Sequence, residues 1–182
     1  MNSKKCCFIG HRKVENQSEV YEQVLNVVKD LIINYNVTTF IFGSNSEFDD
    51  LCLKAVNELK TQHPQIFRIA YTCKSESCTL EAEKEIRERQ YSFVLKKEVK
   101  LEPVDEEFHF KNKYVAGRAS YVERNYAMID ESDYCIFYYN ASYTPLKKNS
   151  YRVFSGKSGT EIAFKYANQK KKQIINLFSS TT

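Results

Sequence analysis

A turn of small and polar residues near the carboxyl end of the chain carries the strongest chemical signal in the sequence. Residues 155–161 read Ser-Gly-Lys-Ser-Gly-Thr-Glu and run directly into a helical pattern. Such a turn leaves backbone amides unpaired at the positive end of the helix dipole, which is a site for an anion and most often for a phosphate. The candidate ligand-binding residues of this turn are Gly156, Ser158, Gly159, Thr160 and Glu161.

A second group of candidates follows the first strand-like run of the chain, Lys4–Ile9. Gly10 permits a sharp turn and a close approach of the backbone to a ligand. His11 and Arg12 then offer hydrogen-bond donors that suit a phosphate or a sugar hydroxyl. We therefore predict that Gly10, His11 and Arg12 are ligand-binding residues.

The polar turn after the second strand-like run repeats this arrangement. Gly43 ends the strand, and each of residues 44–46 could cap the helix that follows. Asp49 or Asp50 could accept hydrogen bonds from ribose hydroxyls, or either could complement the positive end of that helix. Gly43, Ser44 and Asp49 are the candidate ligand-binding residues here.

The helical run 121–130 places an arginine on a face that is otherwise apolar. Arg124 and Met128 are four residues apart in the sequence and therefore share one face of the helix. A methionine at this spacing is typical of a core position, whereas a buried arginine needs a carboxylate or phosphate partner. We therefore expect a carboxylate or a phosphate beside Arg124.

The composition is that of a globular protein with one domain. The chain has 182 residues, of which 42% are hydrophobic and 27% charged, and its net charge is +4. No apolar run approaches the roughly 20 residues that span a bilayer, and the four apolar residues before Gly10 are too few for a signal peptide. We expect a cytoplasmic protein with no membrane partner. The basic residues form no continuous stripe with aromatics, so the sequence does not require nucleic-acid binding.

The six cysteines are placed as reduced thiols rather than as disulfides. Cys6–Cys7 are neighbours in a strand and point to opposite faces, while Cys52 and Cys135 lie at apolar positions. Cys73 and Cys78 are the pair expected to be exposed, but their spacing is not that of a zinc site and no second pair completes one. We predict no metal site and no bound cofactor.

Strands and helices alternate along the chain. Strands are predicted at 4–9, 38–42, 66–72, 133–139 and 172–177, and helices at 18–35, 48–61, 117–131 and after residue 159. The alternation indicates an α/β fold: a mainly parallel sheet of about five strands with helices on both faces, in three layers. Ligands bind such sheets beyond the carboxyl ends of the strands, where the candidate residues lie. We expect a single domain over 1–182 with a variable excursion at about 75–115.

Taken in order, these segments resemble the SLOG superfamily and, within it, the YpsA-like branch. The resemblance rests on residues 6–12, 39–49, 124–133, 158–160, 166–167 and 174–176, and it covers most of the chain. It implies a Rossmann-like sheet that binds nucleotides or nucleotide-derived ligands. It also implies that Asn125, beside Arg124, belongs to the ligand site.

Some members of this superfamily are similar to the lonely-guy phosphoribohydrolases, which cleave the N-glycosidic bond of nucleoside monophosphates. Those enzymes carry the motif Arg-Lys-x-x-Met. Arg124 and Met128 match it here, with Asn125 in place of the lysine. The resemblance therefore assigns Arg124 to the ligand site independently of the argument from its position on an apolar helix face.

The same enzymes carry Pro-Gly-Gly-x-Gly-Thr-x-x-Glu, which Gly156, Gly159 and Thr160 match. Ala163 stands where those enzymes have the catalytic glutamate. Glycosidic cleavage needs a carboxylate to steady the sugar cation or to activate water. Glu161 lies two residues earlier and faces another side of the helix, although it could reach a ligand from the first turn.

Three functions follow from these observations. The first is a binding or sensor domain for a nucleotide or a nucleotide-derived, ADP-ribose-like ligand. The second is an N-glycosidic hydrolase or transferase acting on nucleoside monophosphates, with Glu161 and Arg124 as the tentative catalytic pair. The third is a protein associated with single-stranded DNA, because a related SLOG-type domain occurs in DNA-processing protein A. Thirteen tyrosines and twelve phenylalanines could serve base stacking or a dimer surface, which leaves a homo-oligomer open.

Overall fold

The computed structural model describes residues 3–43, 46–73, 104–109, 118–143 and 157–178. These residues form six strands and four helices. The strands are β1 (Lys4–Gly10), β2 (Val37–Phe42), β3 (Phe67–Thr72), β4 (Glu106–His109), β5 (Tyr134–Tyr138) and β6 (Gln173–Asn176). The helices are α1 (Gln17–Tyr35), α2 (Glu47–Lys60), α3 (Arg118–Glu131) and α4 (Gly159–Gln169).

The described strands form one sheet in the order β4-β3-β2-β1-β5-β6, and each neighbouring pair is parallel. The predicted α/β fold is therefore confirmed, with six strands where the sequence indicated about five. The additional strand, β4, lies within the segment 75–115 that was expected to be an excursion. Its sequence, Glu-Glu-Phe-His, lacks an apolar run because a short edge strand is not buried on both faces as a central parallel strand is.

Helices cover both faces of the sheet, which gives the predicted three-layer, Rossmann-like arrangement. α1 packs against α2 on one face, and α3 packs against α4 on the other. Successive side chains of a strand point to opposite faces, so the central strands supply both cores. The α1–α2 core includes Phe8, Phe40, Phe42 and Ile136, and the α3–α4 core includes Cys7, Ile9, Ile41 and Phe137.

The helical periodicity read from the sequence identifies the buried positions correctly. Val20, Val24 and Val28 of α1 are buried, and Met128 of α3 is fully buried, as its spacing predicted. Asn36 ends α1 in the left-handed region with φ of 56°. Among the described helices none could span a bilayer, and the longest, α1 with 19 residues, carries four charged side chains.

The strand order creates a crevice between β1 and β5. The chain proceeds outward from β1 through β2 and β3 to β4, and then crosses to β5 on the other side of β1. The connections that leave β1 and β5 therefore diverge, and ligands of open α/β sheets bind at such a switch point beyond the carboxyl ends of the strands. Gly10 and Tyr138 face each other in the register at this end of the two strands.

Five of the six cysteines lie in the described residues, and all five are free and buried. The prediction of reduced thiols is confirmed for these five. The expectation that Cys73 is exposed is wrong, because Cys73 follows β3 and its Sγ donates to the carbonyl oxygen of Ser120 at 3.5 Å. Cys78 lies outside the described residues.

Asp105, just before β4, ties this edge strand to the rest of the domain. Its carboxylate accepts hydrogen bonds from Arg68 Nε at 2.9 Å and from Lys60 Nζ at 2.8 Å. The hydrogen bonds from Arg68, and then those from Lys60, hold the pKa of Asp105 well below its usual range. We expect Asp105→Asn to lower the free energy of unfolding by about 1–2 kcal/mol, discounted for partial exposure of the pair, as measured by urea denaturation at neutral pH.

The effect of Asp105→Asn should depend on pH. Because the folded pKa is depressed, the stabilisation by Asp105 is present above the unfolded value of 3.8 and is lost as pH falls toward the folded value. The free energies of unfolding of the wild type and Asp105→Asn should therefore converge as the pH falls below 3.8 toward the folded pKa of Asp105. A difference that stays constant into strong acid would show that the substitution acts through packing rather than through the charge.

Candidate functional site

The first turn of α4 is fixed against the carboxyl end of β1. Thr160 Oγ1 donates a hydrogen bond to the carbonyl oxygen of Gly10 at 3.0 Å, and Thr160 is buried by this contact. Ser158 caps the helix, since its Oγ accepts from the amide of Glu161 at 3.0 Å. The amides of Gly159 and Thr160 have no partner within the helix, because the first turn of any helix lacks preceding carbonyls. Unpaired amides thus lie beside the crevice between β1 and β5.

Gly159 lies at an open position of this turn. A methyl group built on its Cα would meet no atom of the described residues within 4 Å, and its φ is not in the left-handed region. Gly159 is therefore not required by packing or by backbone conformation. The free space around it is available to a ligand or to a larger side chain.

His11 lies at the same end of β1 and is buried, with 3% of its surface exposed. Its backbone amide donates to the carbonyl oxygen of Tyr138 at 3.3 Å, and its Nε2 accepts from the amide of Asn140 at 3.0 Å. Its ring stacks on Tyr143 with 4.1 Å between the ring centroids. Burial of the ring lowers the pKa of His11 from its ordinary value of 6.5, so the side chain is neutral at physiological pH.

A second cluster surrounds Gly43 at the carboxyl end of β2. Asp49 Oδ1 accepts from the amide of Gly43 at 3.2 Å, and Asp49 Oδ2 accepts from Ser46 Oγ at 2.6 Å. Ser46 Oγ in turn accepts from the amide of Asp49 at 2.9 Å, so Ser46 is the residue of 44–46 that caps α2. Asp49 therefore serves the start of α2, which is one of the two roles that the sequence left open.

Arg124 of α3 reaches this cluster and is 5% exposed. A Cβ on Gly43 would lie 3.0 Å from Arg124 Nη2 and 3.4 Å from Asp49 Oδ1, so the guanidinium approaches the backbone of Gly43 closely. Burial raises the pKa of Asp49 to about 6, while the charge of Arg124 acts in the opposite direction. The carboxylate expected beside Arg124 is thus Asp49. The guanidinium also donates to Asn125 Oδ1 at 3.3 Å.

Gly10 joins the two clusters. A Cβ at Gly10 would lie only 2.4–2.6 Å from ring and Cβ atoms of Phe48, which is fully buried at the start of α2. Contacts run from Thr160 through Gly10 to Phe48, and its neighbour Asp49 binds the amide of Gly43, which the guanidinium of Arg124 approaches. All of these residues lie along the carboxyl edge of β1 and β2.

Arg12 is less closely integrated than the other candidates. Its backbone carbonyl oxygen accepts from the amide of Glu47 at 3.1 Å, and its side chain is exposed. Glu47 also pairs with Lys13 and accepts from the amide of Val14, so this loop is held by α2 rather than by α4. Two further candidates, Ser44 and Gly156, lie outside the described residues.

The tentative catalytic pair is not joined by any contact among the described residues. Glu161 forms an ion pair with Lys165 at 2.6 Å, and the hydrogen bond from Lys165 lowers the pKa of Glu161. Glu161 is therefore a solvent-facing carboxylate, whereas Arg124 packs against the end of β2. Ala163 is buried in the α3–α4 core and has no group that could move a proton.

Several residues around the crevice were missed by sequence reasoning. Asn140 and Tyr143 follow β5, and Tyr121 lies under the guanidinium of Arg124 at 5.3 Å. The rule that polar residues after a strand end form the site would have found Asn140, because it follows the strand-like run 133–139. No sequence signal indicates that Tyr143 packs on His11.

A groove of about 650 Å³ lies at the opposite, amino edge of the sheet. Residues at the starts of β1, β5 and β6 line it, and two of its three lysines have partners in the fold. Lys172 Nζ donates to the carbonyl oxygens of Asp130 and Ser132 at the end of α3, and Lys4 Nζ reaches the hydroxyl of Tyr134 at 3.5 Å. This groove is therefore separate from the predicted site. Within the described residues no cluster of three or more His, Cys, Asp or Glu side chains could hold a metal.

Comparisons with known proteins assign no family. No protein-family model matches the chain, and no curated protein matches it. The α/β, Rossmann-like fold accordingly rests on strand order and layers, and the resemblance to the SLOG superfamily stays a prediction from the motifs.

Proposed function

We propose that this protein binds a phosphate-bearing nucleotide or a nucleotide-derived ligand such as ADP-ribose, in the crevice between β1 and β5, as a SLOG-type binding or sensor domain. The observation that carries the proposal is the hydrogen bond from Thr160 Oγ1 to the carbonyl oxygen of Gly10 at 3.0 Å. This contact fixes the amide-rich start of α4 at the switch point of the sheet, where ligands of this fold class bind.

The chemistry around this contact supports an anionic ligand. The amides of Gly159 and Thr160 present positive partial charge, and Lys157 precedes the helix and adds a cation. Space is open at Gly159. The imidazole of His11, which adjoins Gly10, is neutral, and its Nε2 already accepts from the amide of Asn140, so Nδ1 is the ring nitrogen left to donate to a sugar or a base.

Binding is better supported than glycosidic cleavage. A hydrolase would need a carboxylate or an acid at the reacting carbon. Glu161 is engaged by Lys165, Asp49 is engaged by Gly43 and Ser46, and Ala163 is inert. No described carboxyl group is therefore available in the crevice for that step.

Gly159→Glu should weaken ligand binding while leaving the fold intact. The new carboxylate would occupy the open space and repel an anion, which we expect to weaken binding by about tenfold or more. The same carboxylate is favourable to the helix dipole at this position, so α4 should not be destabilised. Isothermal titration and thermal shift with ADP-ribose, NAD, AMP and inorganic phosphate measure both effects.

Gly159→Gln is the matched control, because it has the same size as the glutamate without the charge. It should weaken binding less than Gly159→Glu does. Equal affinity of Gly159→Glu and the wild type would place the ligand elsewhere. If none of the four compounds raises the melting temperature of the wild type at millimolar concentration, the proposed function is wrong.

A further inference from the structure

The described residues after β5 include the turn 140–143, which is attached to the end of β1 through the amide of Asn140; we name it the β5 loop. The amide of Asn140 donates to His11 Nε2 at 3.0 Å. Inside the loop, Asn140 Oδ1 accepts from the amide of Ser142 at 2.8 Å, and the Asn140 carbonyl oxygen accepts from the amide of Tyr143 at 3.2 Å. Asn140 therefore organises the loop and also ties it to His11.

The direction of this hydrogen bond fixes the protonation of the imidazole. A ring nitrogen that accepts from a backbone amide must offer its lone pair, so Nε2 carries no proton and Nδ1 carries the one proton of the neutral ring. Protonation of His11 would place a second hydrogen between Nε2 and the amide of Asn140. Two donors would then face each other, and the contact would be lost.

We propose that His11 is a positioning residue that holds the β5 loop against the carboxyl end of β1 while its ring is neutral, and releases the loop when the ring is protonated. The stacking of Tyr143 on the His11 ring adds a second contact that depends on the same position of the loop. The loop borders the crevice between β1 and β5, so its release would change the site. This last consequence rests on the proposed function, whereas the tie between His11 and Asn140 does not.

The surroundings of His11 set the pH range. The titratable groups against its ring are the phenols of Tyr138, Tyr139 and Tyr143. The charged residues of the elements that meet there are Arg12, Lys13, Glu15, Glu47, Asp49, Lys157 and Glu161. Burial is the largest influence and lowers the pKa of His11, while the backbone of Asn140 has a smaller influence in the opposite direction. The ring is therefore neutral above 6.5, where the tie is fully present, and the tie is lost as pH falls through the lowered folded value.

Two substitutions of His11 separate its role as a hydrogen-bond acceptor for the Asn140 amide from its change of protonation with pH. Gln places an amide oxygen near the position of Nε2 and does not titrate, so His11→Gln keeps the acceptor and should remove the pH dependence. His11→Ala removes the acceptor at every pH. His63→Gln is the control at a second histidine, which lies beyond α2, away from the switch point.

The test follows the Asn140 amide by NMR and hydrogen exchange in the full chain without ligand, from about pH 8 to about pH 4.5. In the wild type and in His63→Gln the amide should be protected at high pH and should lose about fivefold of its protection as His11 titrates. In His11→Gln the protection should stay constant, and in His11→Ala it should be low throughout. The ¹⁵N shifts of His11 should show an unprotonated Nε2 at high pH.

A titration with ADP-ribose over the same pH range tests the effect on ligand binding. The affinity of the wild type should fall about fivefold as the pH is lowered, and the affinity of His11→Gln should show no such fall. A protonated Nε2 at high pH, or Asn140 protection that falls in His11→Gln as it does in the wild type, would overturn the role of His11. Absence of ADP-ribose binding at every pH would refute the proposed function, and the Asn140 amide would still decide the role of His11.

Discussion

Gly10→Ala should lower the free energy of unfolding by about 3 kcal/mol, because the new methyl group has no space. Its carbon would lie 2.4 Å from Phe48 Cδ1 and 2.6 Å from Phe48 Cβ. Phe48 is fully buried and belongs to a helix whose first turn is held by its own cap, so neither partner can move cheaply. Overpacking of a dense core costs about 1–3 kcal/mol, and a rigid neighbour brings the cost to the upper end of that range. Urea denaturation followed by circular dichroism measures the change.

Gly159→Ala is the matched control for this prediction. The same methyl group meets no atom within 4 Å at Gly159, and alanine favours a helix over glycine by about 1 kcal/mol, so stability should hold or rise. In a double-mutant cycle with Phe48→Ala, which removes the Cγ and Cδ1 atoms that a Cβ on Gly10 would meet, Gly10→Ala should cost less than it does in the wild type. If Gly10→Ala unfolds at the same urea concentration as the wild type, the contact between Gly10 and Phe48 does not constrain the fold.

The contact with Phe48 also shows where sequence reasoning reached its limit. The position of Gly10 after a strand predicted a turn that could face a ligand, and the structure does put Gly10 at the switch point. The side that lacks a Cβ, however, is filled by Phe48. A glycine needed for close packing and a glycine needed for a ligand look the same in one sequence, because only the tertiary neighbour distinguishes them.

The elements were predictable because their signal is local. A helix or a strand must bury apolar side chains whatever the topology of the sheet. This requirement alone produces the spacing of apolar residues in α1 and the apolar runs of β1, β2 and β5. β4 was missed since its four residues carry two glutamates and are held in place by Asp105, Lys60 and Arg68, which come from separate parts of the chain. Pairing of this kind is set by the fold and leaves no local pattern.

The candidate site was predictable in position and less so in detail. Parallel strands bring their carboxyl ends to one edge, so turns after β1, β2 and β5 had to lie together. Which polar groups pair with each other could not be derived, because Asp49 had several acceptable partners until Gly43 and Ser46 were placed around it. Asn140 and His11 are 129 residues apart in sequence, and their hydrogen bond is likewise a product of the fold.

Arg124→Met should destabilise the protein by about 3 kcal/mol at about pH 8 and by clearly less at about pH 5. Arg124 is the buried cation whose charge opposes the rise in the pKa of Asp49, which burial nevertheless brings to about 6. A group with a raised folded pKa stabilises the fold below its unfolded value of 3.8, and that stabilisation is lost as pH rises through the folded value. Without Arg124 the pKa of Asp49 rises further, so the cost of the buried carboxylate grows with pH.

The Asp49→Asn background isolates the charge from the packing of the side chain. Asparagine can still accept from the amide of Gly43 but does not ionise, so Arg124→Met should cost the same at both pH values in this background. If Arg124→Met in the otherwise wild-type chain also costs the same at both, then Arg124 stabilises the fold through Tyr121 and Asn125 rather than through Asp49. A pH-dependent cost would mean instead that Arg124 acts through the carboxylate of Asp49. An anionic ligand that reaches Arg124 must then compete with Asp49, and binding near neutral pH is accompanied by the uptake of a proton by Asp49.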